Sequence, residues 1–174
     1  AEKLAPATCV TCHEKAVALY DVSVHAESKR TQAQSVAASC KDCHGSHEIR
    51  PASDLDSPTH HLNLPATCGR CHGNAEIIRK GRIAIGDVVA QFQDSIHGQA
   101  VAKSGLTVAP NCSDCHNAHD VRRRTDPASP VYRTAIPAMC GKCHAGVERR
   151  YQTGVHGDAL AKGRPDAPVC VTCH

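Results

Sequence analysis

All twelve cysteines of the 174-residue sequence fall into six copies of one five-residue pattern, Cys-x-x-Cys-His. In order, these are Cys9, Cys12 and His13; Cys40, Cys43 and His44; Cys68, Cys71 and His72; Cys112, Cys115 and His116; Cys140, Cys143 and His144; and Cys170, Cys173 and His174. Two thiols three residues apart can add across the two vinyl groups of one haem. The next side chain is then held beneath the ring, where its imidazole can bind the iron. Paired Cys-x-x-Cys motifs also build zinc ribbons and redox disulfides, but neither use requires a histidine after the second cysteine. With 13 His in 174 residues, chance would put that neighbour in all six motifs with a probability of roughly 10⁻⁷. The pattern predicts six covalent haem c groups, each with a proximal imidazole. No cysteine is left over for a disulfide or a catalytic thiol.

Seven histidines lie outside the motifs: His25, His47, His60, His61, His97, His119 and His156. Six irons closed on both faces need six of them. His25, His97 and His156 end matching segments, Ser23-Val24-His25, Ser95-Ile96-His97 and Gly154-Val155-His156, and are expected as distal ligands. His47 and His119 stand three residues beyond a motif histidine and are expected likewise; each should reach a haem other than its own motif's. The sixth is expected from the adjacent pair His60 and His61, where the second repeat has Tyr132 and Arg133, or else from another subunit. The single Met139 directly precedes Cys140 and is poorly placed to ligate. Methionine ligation raises haem potential, so bis-His ligation throughout predicts low potentials. Saturated iron offers no position for substrate or O₂ and favours outer-sphere electron transfer.

The elements that must position these ligands repeat. Two-motif units run from about residue 9 to 65, 68 to 137 and 140 to 174, the last incomplete, within one domain spanning 1–174. Cys40-Lys-Asp-Cys-His-Gly-Ser-His47 matches Cys112-Ser-Asp-Cys-His-Asn-Ala-His119, and Leu64-Pro65-Ala66-Thr67-Cys68 matches Ile136-Pro137-Ala138-Met139-Cys140. Val88, Val89, Phe92 and Ile96 recur at helical spacing, predicting a helix from about Asp87, as N-cap, to Lys103. Glu14 to Lys29 and Val147 to Lys162 are further helix candidates. The segments with Pro51, Pro58 and Pro65, and with Pro127, Pro130 and Pro137, read as loops wrapped over haem faces. No run alternates long enough for a strand. The expected fold is mainly irregular, with short α-helices and almost no β-sheet, around a chain of six haems.

Composition agrees. There is no Trp, one Phe and three Tyr, too little for an ordinary core, and chains short of core are held by disulfides, metals or cofactors. No apolar run reaches the roughly 18 residues of a membrane span, and Ala1-Glu2-Lys3-Leu4 suits a terminus left by signal removal. Net charge is +3 with scattered basic residues and few aromatics, which argues against nucleic-acid binding. Twelve propionates would bring the total to about −9 with reduced irons and about −3 with ferric ones. Arg122, Arg123, Arg124, Arg149 and Arg150 are candidates to pair with propionates or to form a solvated basic face. Against the pattern of the other repeats, the third stops at His174 without the tail that carries His47 and His119. Either the chain ends on a ligand or it continues.

The doubled motif and the recurring extra histidine resemble the multihaem c-type cytochromes with doubled Cys-x-x-Cys-His repeats, which include small tetrahaem, pentahaem and hexahaem filament cytochromes. The resemblance implies an irregular fold around stacked and T-shaped haem pairs, and maturation outside the cytoplasm, hence a periplasmic or extracellular place. Three readings follow. The first is an electron conduit meeting other redox proteins or copies of itself, the latter polymerising into a filament, with the haems of Cys9 and Cys170 as inlet and outlet. The second is an electron-transfer subunit docked in a larger respiratory membrane complex. The third is a multihaem oxyanion reductase, which needs an iron with an open position. The first two are electron carriers rather than enzymes.

Overall fold

The structure is a computed structural model and describes residues 9–31, 36–84 and 86–174; the start Ala1-Glu2-Lys3-Leu4 lies outside them. Among the described residues, a 3-10 turn at Cys9–Thr11 is followed by twelve short helices. These are α1 (Glu14–Asp21), α2 (Val24–Thr31), α3 (Cys40–His44), α4 (Leu64–His72), α5 (Ala75–Gly81) and α6 (Val88–Asp94), then α7 (Ile96–Ser104), α8 (Cys112–His116), α9 (Ile136–Gly141), α10 (Ala145–Gln152), α11 (Val155–Ala161) and α12 (Cys170–Cys173). No strand occurs among the described residues, as the sequence led us to expect. The chain divides into two compact units, Ala1–Val121 and Arg122–His174, a boundary that falls inside the second repeat.

Each of the three long helices expected from periodicity is in fact a pair: α1/α2, α6/α7 and α10/α11. The break comes two residues before the histidine, at Ser23, Ser95 or Gly154. Ser95 is extended (φ −70°, ψ 158°); its hydroxyl donates to the Phe92 carbonyl and accepts from the Gly98 amide. Ser23 accepts from the Ala26 amide in the same way. Serine competes with the helix for backbone partners and so stops one helix while capping the next. Asp87 does precede α6, but it is left-handed (φ 62°) and its carboxylate caps nothing. The residue after the histidine must be small, because the second helix starts against the last turn of the first. Ala26, Gly98 and Gly157 are all buried. A Cβ on Gly98 would sit 2.7 Å from the Phe92 carbonyl carbon and 2.9 Å from Gln93 Cα.

The proline-rich loops form ladders of three-residue turns. Amides of Asp54, Ser57, His60 and Asn63 donate to carbonyls of Pro51, Asp54, Ser57 and His60, and Asp126, Ser129, Tyr132 and Ala135 repeat the pattern on Arg123, Asp126, Ser129 and Tyr132. The ladders are pinned by matching ion pairs, Arg50–Asp54 at 3.2 Å and Arg122–Asp126 at 2.9 Å. Pro65 and Pro137 do not lie in these loops. They occupy the first turn of α4 and α9, where a missing N–H costs nothing.

What is buried is small. Among the described residues the buried apolar side chains are Ala26, Val101, Ile136, Ala167 and Val169, and the largest fully buried side chain is Asn111. Val10, Leu19, Ile49, Leu55, Ile96, Val108, Val147, Val155 and Val171 are exposed. A fold with this little apolar interior requires a large apolar filler, and that demand fits porphyrins anchored at the six motifs.

Candidate functional site

In every motif the two cysteines stand one helical turn apart, so their thiols share a face. Two local devices start these turns. The second and fourth motifs open with a residue whose amide is held by the carboxylate inside the motif: Ser39 N donates to Asp42 at 2.8 Å and Asn111 N to Asp114 at 2.8 Å. Val169 N donates similarly to the Thr172 hydroxyl in the sixth. The third and fifth instead follow on helices opened by Pro65 and Pro137.

The twelve cysteines differ in how far the chain covers them. Cys9, Cys12, Cys40, Cys143 and Cys173 are exposed, whereas Cys43, Cys68, Cys71, Cys112, Cys115, Cys140 and Cys170 are half-buried. Cys71 lies in the last turn of α4, beside Cys43, and Cys115 precedes the motif histidine at the end of α8. No thiol is sealed inside the chain, so each can be reached by a vinyl group.

The motifs adjoin in pairs. Cys9 lies beside Cys40, and burial together with that neighbour pushes the Cys40 thiol up. Cys68 lies beside Cys112, and the proximity raises Cys68 and lowers Cys112. In the second unit α12 packs on α9, bringing the fifth and sixth motifs together. The first unit also links its second and third motifs. Arg70 donates to the Asp42 carbonyl at 2.6 Å, and burial, with Asp42 and Cys71 nearby, pushes the Cys43 thiol up. Haems attached at these positions are forced to be neighbours.

Two pairs of imidazoles stand close together. His44 and His119 have centroids 6.1 Å apart with rings 12° from parallel. His25 and His72 are 6.3 Å apart at 63°. Two imidazoles on opposite sides of one metal ion, each about 2.0–2.1 Å from it through nitrogen, place their centroids about 6 Å apart. Ordinary aromatic contacts overlap that range, so the identity of the partners discriminates. Each pair joins one motif histidine to one histidine outside the motifs, and each crosses from one repeat to the other. Burial lowers the affinity of His25, His44, His72 and His116 for protons, with the facing imidazole a further cause at His25 and His44. They are held neutral, the form that ligates metal. Among the described residues no three His, Cys, Asp or Glu side chains converge on one point, as a zinc site would need.

The remaining histidines are placed as follows. His97 and His156 are the second residues of α7 and α11, as His25 is of α2. His47 follows Gly45 (φ 79°) as His119 follows Asn117 (φ 62°), so the same left-handed residue turns the chain out of both motifs. His60 is buried, and its Nδ1 accepts from the Leu62 amide. His61 is committed on both nitrogens: Nε2 to the Ala109 carbonyl at 2.8 Å and Nδ1 to the Asn111 side-chain amide at 3.0 Å. In this arrangement it has no nitrogen to offer iron. Its equivalent Arg133 grips the corresponding carbonyl, Ala167, three residues before Cys170. The sequence alone makes the His61/Arg133 difference look like a ligand gained; the structure shows one clamp built twice.

Among the arginines considered for propionates, Arg122 is engaged with Asp126, whereas Arg150 lines a hollow beside His144 with Cys143 and Val147. A second hollow lies over Cys12 and His13. Among the described residues no helix is long and apolar enough to cross a membrane.

Residues 106–149, which hold the fourth and fifth motifs, match the doubled CXXCH motif family. The match supports a multihaem c-type cytochrome that binds haem c covalently and transfers electrons. No curated protein and no solved structure matches the chain.

Proposed function

We propose that the chain is a hexahaem electron conduit, exported to the periplasm or beyond, with both faces of its irons closed by imidazole. Bound haem supplies a one-electron couple that needs no substrate at the metal. The chain's own residues do the rest. Cysteine pairs one helical turn apart fix each porphyrin, motif histidines hold one face, and His25 and His119 reach across repeats to the other. Adjoining motifs, such as Cys9 with Cys40 and Cys68 with Cys112, keep successive groups within electron-hopping range. Arg150 stands where it can take a propionate of the fifth haem. The observation that carries the reading is that both close imidazole pairs join a motif histidine to an extra-motif one.

The test is the holoprotein and its H25A and H119A variants. The pyridine haemochrome of the parent should report six haems per chain. Each variant should convert one haem from low-spin to a high-spin, carbon-monoxide-binding form. Unchanged spectra in both variants would remove the assignment.

A further inference from the structure

We propose that one backbone hydrogen bond, from the Val24 amide to the Val121 carbonyl, couples the imidazoles of His25 and His119. An outside diatomic ligand that displaces one of them from its iron then eases entry at the other. The inference rests on the bis-imidazole reading and adds that two of the irons open together.

The bond is 2.8 Å long and crosses from the first repeat to the second. Val24 opens α2, so its N–H has no partner within the helix and must find one outside it. His25 is the next residue. Ser23 fixes this first turn: its hydroxyl accepts from the Ala26 amide at 3.2 Å and its carbonyl from the Glu27 amide at 3.0 Å. At the other end, Val121 stands two residues beyond His119. The Asn117 side-chain amide donates to the Asp120 carboxylate at 3.2 Å, closing a short turn around His119. Each imidazole thus sits on a stiffened segment, and the two segments share one bond.

The two rings serve neighbouring motifs. His119 faces His44 of the second motif, and His25 faces His72 of the third. Arg70 of the third motif donates to the Asp42 carbonyl of the second at 2.6 Å. The helix before His25 is tied to the second motif as well, because the Tyr20 hydroxyl donates to the Ala38 carbonyl at 2.8 Å, two residues before Cys40. The α1/α2 pair, which brings His25 to the third motif, is therefore fastened to both segments that bring imidazoles to the second. One strut ends ahead of Cys40 and the other behind His119. Displacing His119 frees its turn, weakens the bond to Val24 and loosens His25, and by reciprocity the reverse holds. A hydrogen bond of this kind shifts such an equilibrium about 2- to 10-fold.

The coupling is particular to this junction. Ile96 and Val155 open α7 and α11 as Val24 opens α2. Among the described residues their amides make no such backbone bond, and their side chains are exposed. The local turn is otherwise the same, since Ser23 and Ser95 donate their amides to the Tyr20 and Phe92 carbonyls at 2.9 and 3.0 Å. Ile96 is thus an internal control for Val24.

The experiment mixes the reduced holoprotein and its V24P and I96P variants with excess carbon monoxide in a stopped-flow spectrometer. Carbon monoxide enters a closed haem only as an imidazole leaves, so its uptake times that step. Proline fits the first turn of a helix and removes the N–H, and the extended Ser95 suits a proline after it. V24P should take carbon monoxide about 2- to 10-fold faster than the parent at two irons, and I96P should leave those two at the parental rate. Adding H25A or H119A to V24P should each remove one of the two accelerated phases, which identifies them. Acceleration at one iron alone, at none, or at the same two irons in I96P overturns the proposal. Should V24P lose haem, H119A gives an independent reading: the His25 iron should take carbon monoxide about 2- to 10-fold faster than in the parent. A parental rate there overturns the proposal too. If H25A and H119A open one haem each while V24P behaves as the parent, only this inference falls; if neither opens a haem, the bis-imidazole assignment falls with it.

Discussion

The clamp between His61 and Asn111, which joins the first repeat to the second, is tested by moving into it the residues that join the second repeat to the third. Asn111 is the largest fully buried side chain among the described residues. Its Nδ2 donates to His61 Nδ1 at 3.0 Å and to the His61 carbonyl at 3.1 Å, while Oδ1 accepts from Ser113 N at 2.9 Å. The matching pair one repeat further on has Val169, in the third repeat, in place of Asn111 and Arg133, in the second, in place of His61. N111V removes a helix cap, costing about 1 kcal/mol, and leaves part-buried acceptors on His61 unsatisfied for about 1–3 kcal/mol. The expected loss is about 2–4 kcal/mol. H61R alone keeps a donor for the Ala109 carbonyl but presents donors to the Asn111 amide, which costs about 1–2 kcal/mol. In H61R/N111V the side-chain conflicts vanish, because valine asks for no partner and the introduced arginine takes the Ala109 carbonyl as Arg133 takes that of Ala167. The lost cap and the lost bond to the residue 61 carbonyl are common to N111V and the double variant. The double variant should therefore be more stable than the sum of the single losses by about 1–3 kcal/mol. Guanidinium unfolding of the holoprotein, followed by circular dichroism in the Soret band, measures all four corners. Energies that add to within about 0.5 kcal/mol would refute the coupling. A loss of low-spin haem in H61R would refute the clamp itself and restore His61 as a ligand.

Two further outcomes are expected. G98A gains helix propensity of about 1 kcal/mol but drives a Cβ into the Phe92 carbonyl, for an overpacking cost of about 1–3 kcal/mol. It should lower the Tm, and a raised Tm would contradict the packing argument. For Asp42, burial raises the carboxyl, but hydrogen bonds from the Ser39 hydroxyl and amide, with the charges of Lys41 and Arg70, outweigh it and leave Asp42 below the ordinary carboxylate value. Its contribution is then present above about pH 3.8 and lost as pH falls through its own lower value. The stability gap between the parent and D42N, measured by guanidinium unfolding, should be constant from about pH 5 to 7 and close on further acidification.

The cofactor was legible because attachment is local chemistry. Two thiols and an imidazole within five residues carry their meaning whatever the fold, and the repeat alignment could show that His25, His97 and His156, and His47 and His119, hold matching positions. The helical segments from about residue 14, 87 and 147 were legible, the second of them as apolar periodicity. Their breaks were not, because Ser23, Ser95 and Gly154 stop a helix only by bonding or packing against its last turn, and periodicity is blind to that. The neighbourhood of each thiol was hidden too: Cys71 beside Cys43, and Cys68 against Cys112, are contacts that no spacing announces. So was the pairing of imidazoles. Nothing in the sequence says that His25 meets His72 or that His119 meets His44, since those distances close over dozens of residues of turn ladder.

His61 marks the same division most sharply. By type and frequency it is one more ligand, and its neighbour His60 looks no different in the sequence. The tertiary structure gives it to Ala109 and Asn111, about fifty residues on, and so makes this imidazole a bracket between two segments. Residue type sets what a side chain can bind. Which groups the folded chain brings within hydrogen-bonding reach sets what it does bind.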